Sequence, residues 1–145
     1  IAQYDAHIAQ IAKHSAPAHQ LMRLAGVGAA TATALVATIG RGQDFRCGRQ
    51  LSAWLGLVPG QYSSGGKQRL GRITKAGDPY LRMLLILGAR SVLLVAKNKT
   101  DSVSRWAVQL AARVGYWKAV VAIAAKNARM CWAVLTKGEG FRLPA

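Results

Sequence analysis

The sequence predicts an all-α fold, a helical domain that contains a helix-hairpin-helix and follows the end of a coiled-coil helix. Apolar residues recur at helical spacing through most of the chain. Residues typical of helix starts and ends bound several of these segments. No run alternates convincingly between apolar and polar residues, so no strand is predicted. We expect a linker helix over residues 1–16, the helical domain over 17–140 and a tail over 141–145.

The first segment has the pattern of one amphipathic helix. Ile1, Tyr4, Ile8 and Ile11 lie at helical spacing with polar residues between them, as at the end of a coiled coil. Pro17 then favours the start of a new helix. Because the chain begins without Met and within a helical pattern, we expect it to be a piece of a longer polypeptide.

A glycine turn separates two apolar segments over residues 21–40. The turn Gly26-Val27-Gly28 follows Leu21 and Leu24, and helical spacing resumes after it, as in a helix-hairpin-helix. Glycines permit a close approach to a phosphate, and the free amides of the second helix would face it. Gly26 and Gly28 are therefore candidate nucleic-acid contacts. An ordinary αα-hairpin with a glycine turn is the alternative.

Helix signals define the remaining elements. A short apolar helix is predicted over residues 51–58, and residues 59–77 follow as a loop without periodicity. Asp78 as N-cap and Pro79 at the first helical position begin a long helix. Thr100 or Asp101 caps the next helix, Gly115 ends it, and Gly138 terminates the last one.

The charge of the chain indicates a polyanionic partner. Lys and Arg number 20 against 5 Asp and Glu, a formal net charge of +15. Such a charge in a folded protein favours nucleic acid over a membrane surface. Charged residues interrupt both long apolar stretches, so we expect no membrane span and no membrane partner. The two cysteines, far apart, predict reduced thiols in a cytoplasmic protein.

The scarcity of acids limits the chemistry of the chain. Asp44, Asp78 and Asp101 are scattered, whereas a two-metal site needs converging carboxylates. His7 and His14 share a helix face without a third ligand, so no metal site is predicted. We expect no cofactor in this chain.

The predicted loop over 59–77 concentrates serines, glycines and cations. Ser63 and Ser64 precede Gly65 and Gly66, whose backbone can approach a phosphate. Four cations of this stretch are candidate phosphate contacts, and so is one in the first turns of the next helix: Lys67, Arg69, Arg72, Lys75 and Arg82. The residues alone leave three interpretations open, namely a static phosphate clamp, a solvated basic loop and a serine nucleophile.

Several aromatic residues lie at helical spacing among cations. Such residues can stack on bases, but they are more often core residues beside snorkelling lysines. We therefore predict that five of them lie in the core: Trp54, Tyr80, Trp106, Trp117 and Trp132.

The order of these motifs resembles a known family. The glycine turn, "WLGLVP", a Ser-Gly turn and "GRITKAGDPYLR" leading into a helix occur as in the C-terminal domain of insertion-sequence transposases that use a structured bridge RNA. The resemblance covers roughly residues 20–135. It implies DNA transposition by strand exchange, with DNA and a structured guide RNA as partners, in the cytoplasm of a bacterium or archaeon and in association with the nucleoid.

The resemblance also implies roles for particular residues. Ser64, with Ser63 as the fallback, would attack DNA and form a phosphoserine, and Gly65 and Gly66 would shape the turn. Mg²⁺ would be bound by four acids of a resolvase-like N-terminal domain within a homo-oligomer. Since this chain contains no such acids, we expect it to be inactive alone. A transposase remnant that only binds nucleic acid is the alternative.

Overall fold

The computed structural model describes residues 1–64 and 67–138, and for residues 60–64 and 67–71 it describes the backbone alone. In chain order the elements are α1 (Ala2–His14), α2 (Ala16–Leu21), α3 (Ala29–Ile39), α4 (Gly48–Trp54), β1 (Pro59–Ser64), β2 (Lys67–Ile73), α5 (Pro79–Ala96), α6 (Ser102–Val114) and α7 (Tyr116–Lys137). The prediction of a mostly helical fold is confirmed.

The core lies between α5 and α7, the two longest helices, which pack against each other. Leu81 and Leu85 of α5 and Val120 and Ile123 of α7 are fully buried there. Helices α2, α4 and α6 also pack on α7, and α3 packs on α5. The helical body is thus built around this central pair.

Helices α5 and α7 are long and apolar enough to cross a membrane, judged by length and composition. Core helices of soluble proteins commonly pass the same test. Each of the two turns a row of buried residues toward other helices. Packing within the domain accounts for the buried face of each helix, whereas Leu87, Leu94 and Val95 of α5 are exposed.

The predicted caps lie where the sequence places them. Oδ1 of Asp78 accepts hydrogen bonds from the amides of Tyr80 and Leu81, at 2.8 and 3.3 Å. Asp101 accepts from the amide and the hydroxyl of Ser104, and these bonds lower the pKa of its carboxyl. Gly115 and Gly138 end α6 and α7 with φ of 93° and 58°.

The prediction that the chain has no strand is wrong for residues 59–73. β1 and β2 pair antiparallel, with Ser63 opposite Gln68 and Ser64 opposite Lys67. The two paired residues at the tip leave only Gly65 and Gly66 between them, and these two lie outside the described residues. A Gly-Gly pair between two extended runs is a hairpin signal, but weak alternation in the runs obscured it.

Two helix boundaries also differ from the predictions. The short apolar helix begins earlier, at Gly48, and ends at Trp54 rather than at residue 58. The first helix of the predicted helix-hairpin-helix ends at Leu21, where that motif was expected to begin. Helix α1 packs against α2 and α3, with Ala12 fully buried, while its Ile1 and Tyr4 are exposed. The coiled-coil assignment and the domain bounds stay predictions.

Candidate nucleic-acid interface

The serines lie at the end of a strand in a hairpin. Ser63 and Ser64 are the last two residues of β1, and Lys67 and Arg69 lie in β2 opposite Ser64 and Tyr62. Within the described part of the chain, the two strands contact each other and no helix. The hairpin therefore extends from the helical body as a separate arm.

Backbone hydrogen bonds hold the base of this arm. The amide of Thr74 donates to the carbonyl of Val58 at 3.0 Å, and the amide of Lys75 donates to that of Gly56 at 3.1 Å. Gly56 has a φ of 74°, and a Cβ there would meet the backbone of Lys75 and Ala76. Only glycine fits this close crossing of the two chain segments.

Lys75, a predicted phosphate contact, has a strained backbone. Its φ of 56° makes it the one non-glycine residue with positive φ in the described chain. A left-handed residue with a Cβ costs roughly 1–2 kcal/mol, so the surrounding structure must impose it. The paired amide of Lys75 and the crossing at Gly56 supply that constraint. Lys75 and Arg72 are both exposed beside the base of the hairpin.

Arg82 has a structural role that the sequence did not indicate. Its Nη1 donates to the carbonyl of Ala76 at 3.0 Å and to that of Leu55 at 3.3 Å. These carbonyls belong to the loop after the hairpin and to the end of α4. Arg82 thus joins α5 to both ends of the hairpin base. Its predicted contact with nucleic acid stays a prediction.

The glycine turn before α3 packs against α5. A Cβ on Gly26, whose φ is 85°, would lie 2.8 Å from both the carbonyl oxygen of Gly88 and Cγ2 of Val92. Nδ2 of Asn127, which is buried in α7, donates to the carbonyl of Ala25 at 3.1 Å. Packing within the protein therefore already accounts for the glycine at position 26.

Gly28 is open to solvent, unlike Gly26. It is the N-cap of α3, with no heavy atom within 4 Å of a Cβ built on it. A shallow cavity of about 410 Å³ lies beside it, lined by residues 26–28, Thr31, and Leu84, Leu87, Gly88 and Ser91 of α5. The lining contains no cation. The approach that the sequence predicts for a phosphate is thus open at Gly28 but uncharged.

The two predicted contact regions lie along the same helix. The glycine turn meets α5 at Gly88, and the hairpin base meets it at Arg82. Six residues of α-helix separate these positions by roughly 9 Å along the axis. The fold therefore attaches both the Gly26–Gly28 turn and the foot of the serine hairpin to α5.

A pair of arginines lies apart from these regions. Gly48 of α4 packs on the backbone of Arg129, where a Cβ would lie 2.9 Å from its Cα. Burial, and then repulsion from Arg49, lowers the pKa of the Arg129 guanidinium. The fold therefore holds two like charges near each other here.

The described residues hold no group of three His, Cys, Asp or Glu side chains that could bind a metal ion. Asp78 and Asp101 already cap helices. The carboxylate side chains of the described residues therefore do not fit a Mg²⁺ site.

The prediction that five aromatic residues lie in the core is confirmed for two of them and wrong for the other three. Trp106 and Trp132 pack against the core, and Nε1 of Trp132 donates to the carbonyl of Gly42 at 3.0 Å. Trp54, Tyr80 and Trp117 are exposed, so the core prediction is wrong for them. Helical spacing shows which face a residue shares but not how wide the buried stripe is.

Comparison with known proteins identifies the family to which the chain belongs. Residues 18–115 match the family described as "Transposase IS116/IS110/IS902 family", which covers α2 to α6 and the hairpin. The chain is therefore of the transposase class. It belongs to the IS116/IS110/IS902 family.

Individual relatives agree with this family. A "Probable family 20 transposase" of Pseudomonas aeruginosa is 46% identical over 98% of this chain and 42% of its own length. The "Transposase for insertion sequence element IS1111A" of Coxiella burnetii is 43% identical over 100% of this chain and 40% of its own length. The chain thus spans about two fifths of the length of these curated relatives.

Proposed function

We propose that this chain is the serine-bearing, DNA-binding part of an RNA-guided insertion-sequence transposase, with Ser64 as the nucleophile of strand exchange. Membership in the IS116/IS110/IS902 family supports the transposition chemistry. The formal charge of +15 supports a nucleic-acid partner.

The observation that carries the proposal is the hairpin. The serines lie near its tip, and within the described residues its strands contact no helix. Its base is fixed by the crossing at Gly56 and by the hydrogen bonds of Arg82. Such an arm can enter the site of another domain while the helical body binds DNA beside it.

The proposed reaction is a transesterification. Oγ of Ser64 forms a bond to phosphorus of a DNA phosphodiester, and the bond from phosphorus to one deoxyribose oxygen breaks. The serine proton leaves with a base, and the departing oxygen gains a proton. A DNA hydroxyl then attacks the phosphoserine and restores the serine. Lys67, Arg72 and Lys75 would balance the charge on the phosphoryl oxygens.

The proposed site is composite. The resemblance assigns Mg²⁺ to acids of a different domain, and the described residues here offer no such cluster. When bound, the ion would stabilise charge on the phosphoryl group. We expect this chain to bind nucleic acid but not to recombine DNA alone. A structured guide RNA, a homo-oligomer and a bacterial cytoplasmic location belong to the same proposal.

A strand-exchange assay tests the nucleophile in an intact transposase that carries these residues. Ser64→Ala should abolish recombination and the covalent protein–DNA adduct, whereas the matched variant Ser63→Ala should retain both. Both variants should bind target DNA as the parent protein does. The proposal is wrong if Ser64→Ala recombines DNA normally.

A nucleic-acid-binding module without catalysis is the competing function. The observation that supports it is the charge of the chain, 20 Lys and Arg against 5 Asp and Glu, because charge alone is enough for binding to nucleic acid. It predicts that neither serine variant changes any adduct, because none forms. Like the main proposal, it predicts that the affinity for DNA falls steeply as the salt concentration rises.

A further inference from the structure

An exposed aromatic pair lies at the start of α7, far along the chain from the serine hairpin. Trp117 is 64% exposed and Tyr116 is 45% exposed. Their rings meet edge to face, with centroids 5.0 Å apart and an interplanar angle of 81°. Contiguous exposed apolar surface that is rimmed by polar residues can mark a binding site.

Arg90 of α5 fixes this pair in place. Its guanidinium carbon lies 5.7 Å from the centroid of the Trp117 ring, and its Nε donates to the Tyr116 hydroxyl at 3.3 Å. The indole is therefore oriented before any partner arrives, which lowers the entropy lost on binding. Trp117 remains mostly exposed even though Arg90 covers part of it.

The surroundings of the pair are apolar and cationic. A groove of about 330 Å³ runs beside Tyr116, lined by Leu93, Leu94, Lys97, Val108 and Ala111. Lys118 is exposed next to Trp117, and no carboxylate lines the groove. The free amides of the first turn of α7 add further positive potential.

We propose that Trp117, held by Arg90 and Tyr116, is a stacking platform for unpaired bases of a nucleic-acid strand. Phosphates of the strand lie on Lys97 and Lys118, and an adjacent base enters the groove. Aromatic faces beside cations bind single strands in this way without reading sequence. The inference rests on the proposed function in one respect, namely that the partner is a nucleic acid.

The charge of the chain favours a polyanion over a second copy of the chain as the occupant of this surface. The chain carries a formal charge of +15, so the cationic rim would repel another copy. A strand of phosphates is attracted by the same rim, and its bases match the aromatic and apolar surface between the cations.

Binding of short oligonucleotides by the 145-residue chain tests the proposal. The probes are deoxythymidine and uridine strands of about 12 nucleotides, within the range of known single-strand sites. Trp117→Ala should weaken binding about tenfold or more, because it removes base stacking. Trp117→Phe should keep the affinity within about threefold but lose most of the quenching of tryptophan fluorescence.

Matched variants separate stacking from charge and from folding. Tyr4→Ala removes an exposed aromatic residue from α1 and should leave the affinity unchanged. Lys118→Gln should reduce the log–log salt slope by about 0.7, whereas Trp117→Ala should leave the slope unchanged. Equal thermal melting by circular dichroism checks that each variant folds.

Tighter binding of the uridine strand would favour single-stranded RNA as the occupant, and tighter binding of the deoxythymidine strand would favour single-stranded DNA. The proposal is overturned if Trp117→Ala binds both strands like the parent chain. A change in oligomeric state without a change in affinity would likewise overturn it, in favour of self-association. Ser64→Ala should not alter this binding, so a failed nucleophile and a failed platform give different results.

Discussion

The backbone of Gly26 lies directly against that of Gly88, which joins the turn before α3 to the middle of α5. A Cβ on Gly26 would lie 2.8 Å from the Gly88 carbonyl oxygen, and a Cβ on Gly88 would overlap the carbonyl of Gly26. A side chain at either position would therefore clash with the backbone of the other residue. Glycine within a helix costs about 1 kcal/mol relative to alanine. The close contact between the two backbones explains why Gly88 is nevertheless glycine.

Gly88→Ala is predicted to destabilise the protein despite the better helix propensity of alanine. The added methyl group would push the turn away from α5, at a cost of about 2 kcal/mol. Urea unfolding measures the change. Ser91→Ala, an exposed position on the same helix, should stay within about 0.5 kcal/mol of the parent. A stabilised Gly88→Ala protein would contradict this contact.

The sequence predicts the second half of the fold well because its signals are local. Asp78 with Pro79, Asp101 and Gly115 mark helix ends within a few residues of the structure they determine. The hairpin was missed because its strands contact each other and no described helix, so no packing against the helical body imposes an alternating pattern on their sequence.

The site was less predictable because its supports are distant in sequence. Arg82 reaches the carbonyl of Leu55, 27 positions earlier, and Asn127 reaches that of Ala25 across 102 positions. Neither pairing leaves a local pattern. The exposure of Trp117 was missed because its helical spacing matched that of core residues. The predicted roles of Ser64 and its neighbouring cations remain predictions.

Arg82→Gln is predicted to loosen the base of the hairpin. It removes two hydrogen bonds from a charged donor, and for a half-exposed side chain we expect a loss of about 1–2 kcal/mol. The amides of Thr74 and Lys75 should exchange with solvent faster in hydrogen-exchange experiments. Arg105→Gln, an exposed position on α6, serves as the control and should not change that exchange. Unchanged protection in Arg82→Gln would show that the bonds do not hold the base.

Asn127→Ala is predicted to destabilise the turn before α3. Its buried side chain, 1% exposed, bonds the carbonyl of Ala25, which would lose its partner. The cost should be about 2–3 kcal/mol. Ser52 provides a contrast, since its buried hydroxyl has no hydrogen-bond partner among the described residues. Ser52→Ala should be neutral or slightly stabilising in the same denaturation experiment, and equal losses in both variants would refute this distinction.

The buried thiol of Cys131 is predicted to make the fold less stable in strong alkali. Burial raises its pKa from 9.0 to about 12. The folded state therefore keeps a proton that the unfolded state releases, so stability falls as pH rises from about 9 toward 12. The slope should be about 1.4 kcal/mol per pH unit. Cys131→Ala should lack this part of the slope, and identical pH profiles for the two proteins would contradict it.

Identifying the residue that carries DNA is the most direct test of the central claim. An intact transposase with these residues would be trapped on target DNA, digested with nuclease and trypsin, and analysed by mass spectrometry. Cleavage after Arg49 and Lys67 releases one peptide that contains both Ser63 and Ser64. The proposal predicts a nucleotide phosphate on Ser64 of that peptide. A nucleotide on any other residue, or a trapped complex without a covalent link, would contradict it.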